Sequence, residues 1–97
     1  MPRYIVLYNW TDQGLKNVKE SPKRMEAGKK AGEAYGVKLR EIYSTMGMYD
    51  FVFIIDAPDE SSLASFLLAC GSLGTHRSTT LRAFTEAEFA GIVNKIK

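Results

Sequence analysis

Residues 41–56, EIYSTMGMYDFVFIID, decide the fold, because a segment of alternating polar and apolar residues is followed there by a turn with a glycine and then by an apolar segment. Val37 to Thr45 is predicted as a strand, since polar and apolar residues alternate along it. Met46 to Tyr49 is predicted to turn the chain, with Gly47 supplying a positive φ. Asp50 to Asp56 is predicted to return as a strand that is apolar on both faces. An antiparallel hairpin is therefore expected at the middle of the chain.

A strand and then a helix are predicted before this hairpin. Arg3 to Asn9 is rich in β-branched and aromatic residues and contains no breaker, so it is predicted as a strand. Pro22 lacks an N–H and is expected to interrupt the helical segment that follows. We predict a short turn and then a main helix with Ser21 as its N-cap, Pro22 as its first residue and Gly36 at its end.

A helix and then a strand are predicted after the hairpin. Pro58 and Asp59 are expected to open the second helix, and His76 to Phe84 is expected to form the fourth strand. Thr85 and Glu88 have the spacing of a capping box, which predicts a short final helix. The second helix has an apolar stripe at helical spacing, formed by Leu63, Phe66, Leu67 and Cys70.

The predicted order is β-α-β-β-α-β with an extra C-terminal helix, which is a ferredoxin-like α+β fold. We expect one domain over residues 1–97, with the first and third strands at the centre of the sheet because both their faces are apolar. The helices can cover only one face of that sheet. A second copy is expected to cover the other face, so the sequence predicts a homodimer that packs sheet to sheet as a dimeric α/β barrel.

Composition indicates an ordinary globular chain of 97 residues, with 45% hydrophobic and 25% charged residues. Cys70 is the single cysteine, which excludes an intrachain disulfide and fits a reducing compartment. No signal-peptide pattern or long apolar run is present, so we expect a cytoplasmic protein without a membrane segment. Residues 16–40 carry eight basic and three acidic side chains within a net charge of +2. A solvated helix face explains this cluster, so a nucleic-acid partner is the least favoured hypothesis.

Residues 45–50, TMGMYD, resemble the Gly-x-Tyr-Asp turn that gives the GYD domain family its name. Three departures from the family's usual pattern are Glu20 in place of Asp and Thr75-His76 in place of Asn-Val. The resemblance implies a dimeric α/β barrel but implies little about activity. Neighbouring barrel families include cofactor-free monooxygenases, isomerases, haem-degrading enzymes and ligand-sensing domains. The other segments that carry the resemblance are residues 9–14 (NWTDQG), 20–24 (ESPKR), 71–74 (GSLG) and 80–85 (TLRAFT).

The candidate catalytic residues are Asp50, Tyr49 and His76. A carboxylate beside a phenol could act as a general base with an orienting hydrogen bond, whereas Asp50 could equally accept backbone N–H bonds that close the turn. His76 is the only histidine, and it could be an acid, a base, a haem ligand or a surface residue. One Cys and one His without carboxylates at ligand spacing predict no metal site.

The candidate ligand-binding residues are aromatic, sulfur-containing or cationic. Tyr8 and Trp10 share one face of the first strand with Tyr4, so they could line a pocket for a flat ligand, or instead form core or dimer interface. Met46, Met48 or Phe53 could close such a pocket. Polar strand residues that could orient its ligand are Asn9, Tyr43, Thr45, Thr79 and Arg82. The predicted binding set is Tyr8, Trp10, Met46, Tyr49 and Arg82.

Two functional hypotheses follow. The leading one is a small-molecule-binding or accessory, regulatory homodimer that needs no cofactor, because the chain holds no complete catalytic constellation. The alternative is a cofactor-free monooxygenase-like or isomerase-like enzyme, acting on a small aromatic or carbonyl compound through Asp50, Tyr49 or His76. The sequence leans away from an enzyme without deciding the question.

Overall fold

The computed structural model describes residues 1–97 as a four-stranded antiparallel sheet with four α-helices. The strand order is β2-β3-β1-β4, which confirms that the first and third strands lie at the centre and the other two at the edges. The elements are β1 Arg3–Trp10, α1 Asp12–Lys16, a 3-10 turn Val18–Glu20, α2 Ser21–Glu33, β2 Lys38–Ser44, β3 Phe51–Asp56, α3 Glu60–Gly71, β4 His76–Ala83 and α4 Glu86–Val93.

The core lies between the sheet and the two longer helices, α2 and α3. Val6 is 2% exposed at the centre of β1, where it pairs with Phe53 of β3 and Thr80 of β4. Because side chains alternate across a strand, Tyr4, Val6, Tyr8 and Trp10 all point to the helix-covered face. The other buried hydrophobic residues are Val37, Ile55, Ala57, Leu63 and Phe66.

The start of α2 differs from the prediction by one residue. Ser21 is the first helical residue instead of the N-cap, and Pro22 stands second. The reason is that the 3-10 turn Val18–Glu20 leads directly into the helix, so Glu20 occupies the N-cap position without a side-chain cap bond. Pro22 still lies in the first turn, where its missing N–H leaves no helical bond unmade.

The opposite face of the sheet carries apolar side chains and no helix of its own. By strand alternation this open face contains Ile5 and Leu7 of β1, Val52 and Ile54 of β3, and Leu81 of β4. Every residue of α4 is exposed, including Phe89 and Ile92. The chain measures 52 × 31 × 18 Å and its radius of gyration is 14.8 Å, against roughly 12.5 Å for a compact domain of this length.

No helix combines the length and the hydropathy that a membrane span requires.

Candidate functional site

A cavity of about 360 Å³ lies between α2, α3 and the helix-covered face of the sheet. Of its 25 lining residues, 17 are hydrophobic, so its walls are mainly apolar. Its sheet side is formed by Val6, Tyr8 and Trp10 of β1, together with Phe53 and Ile55 of β3. Its size and lining are those of a pocket for a small organic molecule.

The cavity exists because α2 turns small residues towards the sheet. Ala27, Gly28, Ala31 and Gly32 all line it. A Cβ at Gly32 would lie 3.4 Å from Cζ of Phe66, so the helix packs closely there. A Cβ at Gly28 would meet nothing within 4 Å, which places open space one turn earlier along the same helix. Without a side chain at Gly28, the gap between helix and sheet stays unfilled.

An aromatic cluster centred on Tyr8 forms one end of this cavity. The Tyr8 ring meets Trp10 and Phe53 edge-on, with centroids 5.3 Å and 5.5 Å away. His76 stacks on the other side of Tyr8, with ring centroids 4.3 Å apart and planes tilted by 15°. His76 reaches this position because it opposes Trp10 in the β1–β4 pairing. The cluster therefore presents flat aromatic faces and edges to the cavity.

Burial favours the uncharged forms of three titratable groups that line the cavity. Burial raises the pKa of the Tyr8 phenol, and it raises the pKa of the Cys70 thiol. Burial lowers the pKa of His76, so its imidazole is neutral at neutral pH. Nδ1 of that imidazole lies 3.3 Å from the hydroxyl of Thr75. These groups can exchange hydrogen bonds with a ligand without introducing a charge.

Two basic residues and no acidic residue line the cavity. Lys29 is tied to Glu26, with 2.9 Å between Nζ and Oε1. The guanidinium of Arg24 donates through Nη2 to the Asn17 carbonyl at 3.4 Å and to the Glu20 carboxylate at 3.3 Å. Nη1 of Arg24 is buried and has no hydrogen-bond partner. Both cations thus have a carboxylate partner outside the lining, and Arg24 keeps one buried donor without a partner.

The predicted residues Tyr8, Trp10 and His76 lie together at this cavity, as does Phe53. Met46 is 99% exposed at the turn and does not line it. Arg82 lies elsewhere on the helix-covered face, with its guanidinium carbon 4.4 Å from the Phe84 ring centroid. Tyr49 is half-buried and its carbonyl accepts a hydrogen bond from the Thr45 hydroxyl. The structure therefore separates the predicted binding set into a cavity group and an outlying group.

Asp50 is engaged with the backbone of the central strand. Its Oδ2 accepts the Trp10 N–H at 2.8 Å, and its own N–H donates to the Tyr8 carbonyl at 2.9 Å. Its carbonyl accepts the Thr45 N–H at 2.9 Å. The Asp50 carboxylate thus accepts a backbone hydrogen bond, but the donor N–H belongs to β1 and not to the turn. Asp50 does not line the cavity.

Sequence reasoning did not identify Arg24 as a site residue, because the basic character of residues 16–40 was interpreted as a solvated face. The available signal was spacing: Arg24, Gly28 and Gly32 recur every four residues and share one side of α2. No group of three or more His, Cys, Asp or Glu side chains is arranged to hold a metal ion.

Three comparisons with known proteins relate this chain to others. The sequence model of the GYD domain matches residues 4–93. A Thermus thermophilus protein named glutamine synthetase and cystathionine beta-lyase binding protein is 33% identical over 89 residues, which cover 91% of this chain and 94% of that protein. The crystal structure of TTHA0845, also from Thermus thermophilus, superposes with a TM-score of 0.51 at 25% identity, covering 88% of this chain and 95% of that one.

Proposed function

The chain belongs to the GYD domain family, and on this premise we propose that it is a homodimeric accessory protein that binds a small, largely apolar molecule. The cavity beneath α2 carries the proposal. It offers about 360 Å³ behind apolar walls, within the range of roughly 300–1,000 Å³ that small-molecule sites occupy. Its aromatic end at Tyr8 and Trp10 suits a flat ligand, and its neutral hydroxyl and imidazole groups suit orienting hydrogen bonds.

The accessory part of the proposal is supported by the relative in Thermus thermophilus. That protein's name states that it binds glutamine synthetase and cystathionine beta-lyase, and it is 33% identical over nearly its whole length. We propose that this chain also binds a metabolic enzyme, and that the small molecule in its cavity regulates this binding. No acidic side chain lines the cavity to orient His76, which favours binding over catalysis.

The homodimer is supported by the open face of the sheet. Ile5, Leu7, Val52 and Ile54 lie there on the two central strands, and no helix of the same chain packs over them. A patch of this kind on central strands is typical of an interface. The exposed apolar side of α4 adds surface that a second copy could cover.

A second candidate function is a cofactor-free enzyme, and the position of His76 favours it. The imidazole lines the cavity, is neutral, and stacks on Tyr8 at 4.3 Å, so it could accept a proton from a bound carbon acid. Incubation of the protein with a ligand that it binds, followed by mass spectrometry of the small molecule, separates the two functions. Unchanged ligand supports binding alone, whereas conversion that His76→Phe abolishes supports the enzyme.

The cavity can be tested with a neutral probe, 4-phenylbutyramide, by titration calorimetry and by the emission of Trp10, the only tryptophan. We expect saturable binding with a change in Trp10 emission. Gly28→Leu places a side chain in the open space and should weaken binding roughly tenfold or more, which is about 1.4 kcal/mol or more. Lys30→Leu adds a leucine on the exposed side of the same helix and should leave the affinity unchanged. Equal effects of the two variants would argue against this cavity as the site.

A further inference from the structure

Arg24 is a cation whose hydrogen bonding is incomplete within the chain. A guanidinium has five donor hydrogens and stays protonated in proteins. Only Nη2 of Arg24 has partners, and the carboxylate among them belongs to Glu20, which is 72% exposed in its side chain. Nη1 is buried and unpaired. A buried donor without a partner is unfavourable, and more so when it carries charge.

Arg24 belongs to the cavity lining, although its Nη1 is itself closed off from solvent. The residue lies one helical turn before Gly28, where the space is open. Tyr8 lines the same cavity, and the charge of Arg24 partly offsets the effect of burial on the pKa of the Tyr8 phenol. A molecule that fills the cavity therefore meets both residues.

The charges around the cavity favour an anion. No Asp or Glu lines it, Lys29 is neutralised by Glu26, and the imidazole of His76 is neutral. An anionic group that enters the cavity meets the guanidinium of Arg24, whose one carboxylate partner, Glu20, is exposed and bonds only Nη2. A neutral ligand can accept a hydrogen bond from the guanidinium of Arg24, but it does not pair with the charge.

Resting on the proposed function, we infer that the cavity selects an apolar monocarboxylate, whose carboxylate pairs with the guanidinium of Arg24 while its hydrophobic body lies against Tyr8 and Trp10. A carboxylate fits better than a phosphate, because a single guanidinium, already shared with Glu20, stands among mainly hydrophobic walls. Phosphate groups usually require several converging donors, such as backbone N–H groups or clustered basic side chains.

The test compares 4-phenylbutyrate with its neutral amide, 4-phenylbutyramide, by titration calorimetry on the full chain. The wild-type protein should bind the carboxylate roughly tenfold or more tightly than the amide, since charge-assisted hydrogen bonds are the stronger kind. Arg24→Met keeps the length of the side chain and removes the guanidinium. It should abolish the preference for the carboxylate, because the affinity for the acid falls much more than the affinity for the amide. Arg24→Lys should restore part of the preference.

Lys23→Met is the matched control, because Lys23 is the exposed neighbour of Arg24 and its loss changes the net charge equally. It should retain the full preference. The inference is overturned if Lys23→Met and Arg24→Met reduce the preference equally, or if phenyl phosphate binds more tightly than 4-phenylbutyrate. It is also overturned, with the proposed function intact, if wild-type protein binds acid and amide equally. Absence of binding by both compounds would count against the proposed function itself.

Discussion

At the scale of single residues, Asp50 joins the turn to the central strand. Its Oδ2 accepts the Trp10 N–H across 40 positions of sequence, just where β1 ends. Its backbone N–H reaches the Tyr8 carbonyl, so both the side chain and the main chain of Asp50 secure the same stretch of β1. Trp10 lies at the cavity, and Asp50 therefore positions the cavity wall without touching a ligand.

Replacement of Asp50 tests this structural role. Asp50→Ala should lower the free energy of unfolding by about 1–2 kcal/mol, because the N–H of Trp10 loses its acceptor in a partly buried place. Asp50→Asn keeps a side-chain oxygen and should have less than half that effect. Urea unfolding followed by Trp10 emission measures both. An unchanged free energy for Asp50→Ala would contradict the role.

Asp56 is the second residue whose partners are distant in sequence. Its carboxylate bonds Nε of Arg3 at 2.8 Å and Nε of Arg40 at 2.6 Å, and its side chain is only 7% exposed. Chiefly through the hydrogen bond from Arg3, the pKa of Asp56 falls from 3.8 to about 2. Neither partner was predicted, since nothing in the local sequence relates the three positions.

Because the pKa of Asp56 is lower in the folded chain than its usual value, the free energy of unfolding should fall as the pH becomes acidic. Asp56 contributes its full stabilisation above about pH 4, and loses it as the pH falls through about 2. Asp56→Asn should lower the free energy of unfolding by roughly 1–3 kcal/mol at neutral pH and reduce its decline in acid. Asp12→Asn, at an exposed acid without an ion pair, is the control. Parallel acid-unfolding curves for wild type and Asp56→Asn would contradict the assignment.

At the scale of elements, local sequence signals predicted which segments are helices and strands. The capping box of α4 forms as predicted, with Thr85 N–H bonded to the Glu88 carboxylate at 2.8 Å and Glu88 N–H bonded to the Thr85 hydroxyl at 3.1 Å. The start of α2 shifted by one residue because a preceding 3-10 turn replaced the expected side-chain cap. The turn at Gly47 has the predicted positive φ, 104°.

Helix α2 leaves open space, and helix α4 leaves apolar surface uncovered, and neither feature can be predicted from the sequence of the helix. Helix α2 buries Gly32 against Phe66 but leaves space beside Gly28, although both glycines lie on its inner side. Helix α4 carries the apolar residues Phe89, Ile92 and Val93, and all three are exposed. Periodicity identifies the apolar side of a helix, but it carries no information on what covers that side.

At the scale of the whole molecule, the proposed homodimer accounts for the uncovered apolar surface. The open face and α4 both present hydrophobic side chains on a chain that is 18 Å thin in one direction. Sheet-to-sheet packing of two copies would place the central strands of both in one interior, where a small domain gains the apolar burial that it lacks alone.

Leu81→Glu tests the interface, because Leu81 lies on the open face of edge strand β4 and is already 46% exposed, so the subunit fold should tolerate a charge. We expect light scattering to show a dimer for wild type at micromolar concentration, and a dimer dissociation constant raised roughly tenfold or more in the variant. Leu68→Glu, at a 74% exposed position on α3, should remain dimeric. A wild-type monomer would contradict the proposal.

The sequence by itself determined the order of the elements, the turn at Gly47, the N-terminal caps of α3 and α4 and the central positions of β1 and β3, because each depends on neighbouring residues or on the periodicity of one segment. Only the tertiary structure decided the rest. The cavity depends on how far α2 stands from the sheet at Gly28, and the unpaired Nη1 of Arg24 depends on which groups surround it there. The bonds of Asp50 to Trp10 and of Asp56 to Arg3 join positions 40 and 53 residues apart. Contacts of that range are fixed by the packing of the whole chain, which no local pattern encodes.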